Sequence, residues 1–292
     1  PAKLQPARCI FSTNRSGCLL VGGALFGAPL YFCAMEAVLR EEIENRVCRL
    51  TLHRPEKRNA LNPALVAALT ERIAYHMRDS GTRVIILEGA GEAFCAGADL
   101  AYLQEIRHNS REENVADSMR LKALYELILS GPKPVIAAVH GPALAGGCGL
   151  ANACDFCFAT PGASFGYTET KIGFIPALVS VFLQRKINGQ QARELLLSGR
   201  ILNASKAREL GMVSRIIEAE NLLDEVRQFA AKLAAQNSGE AIALTKRLLW
   251  QSSGLSIDEG MNLAAGMNAE ARSSADCVRG IDAFLNKEKI SW

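Results

Sequence analysis

Pro134-Val-Ile-Ala-Ala-Val-His-Gly-Pro-Ala-Leu-Ala-Gly-Gly-Cys-Gly149 is the stretch on which the reading of the fold turns. Its first half is an unbroken apolar run of strand length, the pattern of a strand buried on both faces of a parallel sheet. Its second half is a glycine-rich turn, and residues 146–153 continue as a run of small residues that reads as a short helix. A strand passing through such a turn into a helix leaves the first helical amides free, at the positive end of the helix dipole. A related arrangement lies upstream. Arg83-Val-Ile-Ile-Leu87 reads as another buried strand, and Ala93-Phe-Cys-Ala-Gly-Ala-Asp-Leu100 follows it. Gly97 admits backbone conformations that other residues resist. Asp99 is a natural helix cap, which puts the amide of Ala98 near a helix start. Two backbone donors aimed at one oxygen make an oxyanion hole, although each glycine cluster taken alone is more simply a tight turn.

Outward from these two turns, strands and helices alternate. Val47-Cys-Arg-Leu-Thr-Leu52 alternates apolar and polar residues, as a half-exposed strand does. Asn62 and Pro63 cap and open a helix whose Leu65, Val66, Leu69 and Ile73 share one face. Helical spacing covers about 111–130, Asp155-Phe-Cys-Phe-Ala159 is a fourth strand, and Met212–Ile217 is a weaker one. Past residue 219 the signals turn helical, over 220–236, 239–252, 256–271 and 274–286. We therefore expect an α/β core over 35–225 and a helical region over 226–292, whose apolar faces suit an oligomer interface. Residues 1–34 are set apart as an N-terminal extension.

Composition narrows the function classes. The chain has 292 residues, 49% hydrophobic and 22% charged, enough apolar material for a large core, which excludes a disordered, collagenous or coiled-coil chain. The net charge of +3 comes from Lys3, Arg8 and Arg15; the remainder carries 30 basic and 30 acidic residues, so it offers no electrostatic footprint for nucleic acid. Residues 17–35 are uncharged and follow those three cations, in the manner of a signal peptide or short anchor. Glycines and a proline interrupt the run, so the simpler reading makes Met35 the natural start and 1–34 an upstream or disordered extension, with organelle targeting as the alternative. Nine cysteines are an odd number in a chain too long to need disulfide staples. Cys154 and Cys157, read within one strand, face opposite ways. With no second pair and no nearby histidine, they read as reduced and buried, which points to a reducing compartment, the cytoplasm, and away from a membrane.

Several motifs fail on inspection. Gly162-Ala-Ser164-Phe-Gly166 matches a nucleophile elbow, but a hydrolase of that kind needs its histidine after the serine, and His53, His76, His108 and His140 all precede it. Gly89-Ala-Gly91-Glu-Ala-Phe94 begins like a dinucleotide fingerprint and lacks its third glycine. The sequence contains neither a Walker A motif nor a metal-ligand spacing.

Four segments, in this order, resemble the crotonase (enoyl-CoA hydratase/isomerase) family. They are Leu52-His-Arg-Pro-Glu-Lys-Arg-Asn-Ala-Leu61, Phe94-Cys-Ala-Gly-Ala-Asp-Leu100, the Pro134–Gly149 stretch, and Phe165-Gly-Tyr-Thr-Glu-Thr-Lys-Ile-Gly-Phe-Ile-Pro176. The resemblance runs from about residue 40 to the C-terminus. It implies a spiral of strand–strand–helix units, a C-terminal helical region, and trimers that pair into hexamers. It implies oxyanion-hole amides at Ala98 and Gly146, which would hold the thioester carbonyl of an acyl-CoA and stabilise an enolate. By the same resemblance Lys57, Arg58, Ala60, Leu61, Ala96, Asp99 and Leu100 line the path of the adenine and pantetheine. Phe284 and Lys287 match a family ending that closes on the CoA, and no metal or redox cofactor is used. Hydratases of the family usually carry two glutamates. Here the first falls on Gly149, which leaves that substrate-contacting position without a carboxylate, and the second on Glu169. The altered turn Pro176-Ala-Leu-Val-Ser180 resembles bacterial 3-methylglutaconyl-CoA hydratases of leucine breakdown. The implied activity is hydration of a 2-enoyl-CoA, of that type or in fatty-acid β-oxidation. A single glutamate at the second position also suits a Δ3,Δ2-enoyl-CoA isomerase.

Overall fold

The computed structural model describes residues 38–292, so the extension 1–34 and its targeting reading lie outside the described residues. The chain opens with a hairpin of β1 (Leu39–Glu44) and β2 (Val47–Leu52). Its two turn residues, Asn45 and Arg46, have φ of 50° and 65°, the left-handed pair whose twist matches that of the flanking strands. Next come β3 (Val84–Gly89), β4 (Val135–Val139), β6 (Phe156–Ala159) and β9 (Arg215–Ile216), each parallel to its neighbour in a sheet ordered β1-β2-β3-β4-β6-β9. A smaller sheet joins β5 (Pro142–Leu144), β7 (Ser164–Gly166) and β8 (Ile201–Asn203).

The two faces of the large sheet are covered by different helices. Ile85, Leu87, Val135, Ala137 and Val139 point into a core shared with Leu65, Leu69 and Ile73 of α1 (Pro63–Arg78). Asn62 caps that helix by accepting from the Leu65 amide, as its sequence implies. Val84, Ile86, Ile136, Ala138 and Phe158 point the other way, against Leu222, Val226, Ala230 and Ala234 of the helix Leu222–Gln236. Those four residues recur every fourth position and form one apolar stripe. This helix is thus a layer of the α/β core, and a boundary drawn at 225/226 passes through it.

Between strands lie α2 (Leu100–Glu105), α3 (Arg111–Ser130) and α4 (Gly146–Ala153). Then follow α5 (Ala177–Lys186), α6 (Gly189–Ser198) and α7 (Ala204–Glu209). Counting Leu222–Gln236 as α8, the chain ends in α9 (Gly239–Ser252), α10 (Ile257–Arg272) and α11 (Ala275–Leu285). The last three pack on one another.

Two local readings change. Cys154 ends α4 and precedes β6, so strand alternation never reaches it; Cys154 and Cys157 are both free and lie in the same core cluster. The strand read over Met212–Ile217 shrinks to Arg215–Ile216, because Met212 and Val213 hydrogen-bond back to Ala207 as the end of α7.

Candidate active site

Three backbone segments lie side by side. Leu61 donates to the Gly97 carbonyl at 2.7 Å, and Asp99 donates to that of Leu61 at 2.9 Å, which brackets Ala98. Ala96 donates to Arg58 at 2.9 Å. Cys95 donates to Pro142 at 3.2 Å and accepts from Leu144 at 2.9 Å. The loop after α1's preceding strand, the loop after β3 and the turn after β4 are thereby fused into one ribbon. Gly97, at φ +95°, is needed at its centre: a Cβ there would lie 2.7 Å from the Ala145 Cβ and 2.9 Å from the Leu144 carbonyl. The Gly146 nitrogen lies 3.4 Å from the same point, so the two glycine turns read in the sequence meet here.

Arg54 fastens the ribbon from beneath. Its guanidinium donates to the Ala60 carbonyl at 2.5 Å and to Asp99 Oδ2 at 2.9 Å. Burial opposes ionisation of Asp99, but the Arg54 guanidinium outweighs it and holds the carboxyl below its usual range. The other Asp99 oxygen caps α2 by accepting from Ala101 at 3.1 Å. Asn59, fully buried, donates to the Ala90 and Ala93 carbonyls.

The third component arrives through the small sheet. Leu144 of β5 pairs with Gly166 of β7, and Ala145 donates to the Gly166 carbonyl at 2.7 Å. This fixes Ala145 at φ 48°, ψ −126°, a conformation an alanine resists, just before the first residue of α4. Three residues beyond Gly166, Glu169 begins a 3-10 turn, Glu169–Ile172. Its side chain is 9% exposed, and Oε2 has no hydrogen-bond partner among the described residues. Burial pushes its carboxyl above the ordinary glutamate range.

The remaining residues implied by the family divide by exposure. Lys57, Arg58, Ala98 and Leu100 are open to solvent, Ala96 and Gly146 are half-buried, and Ala60, Leu61 and Asp99 are buried beneath them. Gly149 is buried in α4. A Cβ on it would overlap Val179 Cγ1 and lie 3.0 Å from the Tyr125 hydroxyl, so Val179 and Tyr125 close the direction in which a glutamate there would project. Phe284 and Lys287 lie at the end of α11, which packs on α9 and α10. Phe284 is 83% exposed and borders a cavity of about 390 Å³ with Ala241, Leu244, Ile281 and Trp292. The grouping around Glu169 forms without them.

Tyr125 carries no signal in the sequence; Arg54, within the Leu52–Leu61 segment, and Val179, within the Pro176–Ser180 turn, acquire their parts only when packing sets them against the site. A separate cluster, Glu41, Cys48 and His76, places three potential ligand atoms within 4.8 Å of one another. Arg72 grips both Glu41 oxygens, at 2.5 and 2.7 Å, and Thr82 takes His76 Nδ1 at 2.8 Å. Burial pushes the Cys48 thiol to about 12, so this is a packed hydrogen-bond network rather than a set of free ligands.

The parallel sheet, the ribbon of glycine turns at its strand ends and the buried Glu169 carboxyl form one constellation. Residues 42–292 match the enoyl-CoA hydratase/isomerase family, and the chain belongs to it. It is 41% identical over 244 residues to a Thermus thermophilus protein with a provisional enoyl-CoA hydratase name, covering 84% of this chain and 96% of that one. It is 31% identical over 261 residues to the crotonyl-CoA hydratase of Syntrophomonas wolfei, covering 89% of this chain and 98% of the other. The crystal structure of a Mycobacterium smegmatis enoyl-CoA hydratase superposes with a TM-score of 0.80 at 33% identity, over 87% of this chain and 98% of that one.

Proposed function

We propose that this enzyme adds water to 2-enoyl-CoA thioesters, with the Ala98 and Gly146 amides holding the thioester oxygen and Glu169 moving the proton. The observation that carries the reading is the buried Glu169 carboxyl, whose Oε2 has no hydrogen-bond partner among the described residues, three residues past the strand that pairs with the turn leading to Gly146. The ionised carboxylate takes a proton from water as the water oxygen bonds to the β-carbon. The double-bond electrons move toward the thioester, whose oxygen takes the charge between the two amides. Glu169, now protonated, returns the proton to the α-carbon, and the product is a 3-hydroxyacyl-CoA. The raised carboxyl suits both steps, since proton transfer in each direction is easiest when the group titrates near the working pH.

In this reading Lys57, Arg58, Ala96 and Leu100 line the CoA path, and no metal or redox cofactor takes part. The turn after Glu169 exposes Ile172, Phe174 and Ile175, an apolar surface suited to a hydrocarbon acyl chain. Crotonyl-type esters therefore rank ahead of 3-methylglutaconyl-CoA, whose distal carboxylate such a surface does not favour. A homotrimer, or a hexamer of two trimers, would bury the apolar faces of the last three helices, and free thiols at every described cysteine suit the cytoplasm.

The absence of a carboxylate at Gly149 favours one competing reading, double-bond migration by Glu169 alone. Incubation with crotonyl-CoA, 3-methylglutaconyl-CoA and a 3-enoyl-CoA in ¹⁸O-labelled water separates the two. Label in a 3-hydroxyacyl product supports hydration; migration without label, with solvent deuterium exchanged at the α- or γ-carbon, replaces it with the isomerase.

A further inference from the structure

If the enzyme hydrates, something other than a second carboxylate must hold the attacking water. The direction in which a glutamate at Gly149 would project is occupied by Val179 of α5 and, beside it, by Tyr125 of α3. Its hydroxyl oxygen lies 3.0 Å from the point where a Gly149 Cβ would stand and 3.4 Å from the equivalent point on Gly146. The side chain is 2% exposed, and its ring is held edge-on by Phe182 of α5, with centroids 5.4 Å apart. The hydroxyl donates its single proton to the Gly146 carbonyl at 2.9 Å. A hydroxyl has one proton and two acceptor lone pairs, so with the proton committed, this oxygen is left as an acceptor. Burial raises the Tyr125 hydroxyl well above its ordinary range, and the charges of neighbouring groups, Glu169 among them, add to this.

We infer that the Tyr125 hydroxyl is the second water-holding group of this site, taking the place of the carboxylate that Gly149 lacks. The inference rests on the hydratase reading. In it, water donates one hydrogen to Tyr125 Oη and the other to the Glu169 carboxylate, which leaves an oxygen lone pair for the β-carbon. Tyr125 keeps its own proton throughout. The proton released by water goes to Glu169 and from there to the α-carbon, so the step balances with one carboxyl group. Burial sets the tyrosine proton firmly in place, which suits a group that orients rather than one that transfers.

The test is Tyr125→Phe, which keeps the ring and its packing on Phe182 and removes only the hydroxyl. Two rates are compared with wild type. One is hydration of crotonyl-CoA. The other is exchange of the α-protons of butyryl-CoA in deuterated water, which needs the enolate and Glu169 but no water at the β-carbon. We expect hydration to fall about 10- to 100-fold and α-exchange to stay within about threefold, with butyryl-CoA affinity unchanged. Hydration within threefold of wild type overturns the assignment. So does a parallel fall in both rates, since it shows that Tyr125 only supports the Gly146 turn. Failure of wild type itself to hydrate crotonyl-CoA, with α-exchange intact, refutes the hydratase reading and this role with it. Tyr125→His, which returns a neutral acceptor nitrogen to the same space, is expected to recover part of the hydration rate lost in Tyr125→Phe and to leave α-exchange within about threefold of wild type; no recovery of hydration from a folded variant also counts against the role.

Discussion

In the proposed reaction Glu169 combines catalytic use with a cost to stability, and the two are separable by pH. A carboxyl whose folded-state pKa is raised holds its proton more tightly in the folded than in the unfolded chain. Its contribution to stability is therefore complete below the ordinary value of 4.5 and is lost as pH rises through the raised value. Glu169→Gln should raise Tm at pH 7–8 relative to wild type, and the gain should vanish near pH 4; a gap independent of pH would show that the carboxyl is not destabilised by burial. The same variant should lose about 10²–10⁴ in kcat with little change in affinity for CoA esters, because the loop amides are untouched. Full activity on every thioester tried would remove Glu169 from the chemistry. Gly149 is limited by space rather than by conformation. Gly149→Ala should destabilise the fold by about 1–3 kcal/mol through overlap with Val179, and Val179→Ala should recover much of that in the double variant. Additive losses in chemical denaturation would place the strain elsewhere.

At the scale of elements, the site is a contact between two turns. The loop after β3 and the turn after β4 each leave a parallel strand at its C-terminal end, where α/β sheets open toward ligands. The ribbon of single bridges from Leu61 to Ala98 and from Cys95 to Ala143 sets their separation. Gly97 is where they touch, so Gly97→Ala should drive the loops apart. We expect a loss on the order of 10² in kcat, as when one oxyanion donor is displaced, together with a lower Tm. Adding Ala145→Gly removes the opposing methyl at 2.7 Å and should restore part of both. If the double variant is no better than the single one, the contact with the Leu144 carbonyl dominates and the turn spacing is set by backbone alone.

At the scale of the whole molecule, the last three helices present an apolar surface that one chain leaves uncovered. Leu249, Ile257, Met261, Val278, Phe284 and Leu285 are all more than half exposed. Ile257 and Met261 stand one turn apart at the start of α10, where acidic residues are favoured by the helix dipole. Changing both to Asp is therefore mild in a single chain and severe if copies pack there. If the proposed trimer or hexamer packs through this face, sedimentation of the variant should show a monomer with helicity retained where wild type shows the oligomer. An unchanged mass would place the interface on another surface.

The parallel strands, the helix over 111–130, the short helix over 146–153 and the four trailing helices were legible because each is a long or unusual local pattern: an apolar run, a run of small residues, or an apolar stripe. The two glycine turns were legible for a different reason, since backbone conformation restricts which residues stand there, whereas Glu169 was singled out only by the resemblance to the family. The three-residue strands β5, β7 and β8 were not, because segments so short are held by pairing partners and not by their own pattern. Only tertiary structure decided that the helix Leu222–Gln236 is a core layer and that Cys154 and Cys157 share one cluster. The same holds for Tyr125, which sits 24 residues before Gly149 in the chain and meets it only through the packing of α3 on α4. Local sequence specifies turns and periodicities; which side chains converge on a point depends on distances between elements, and these are fixed by how the core fills.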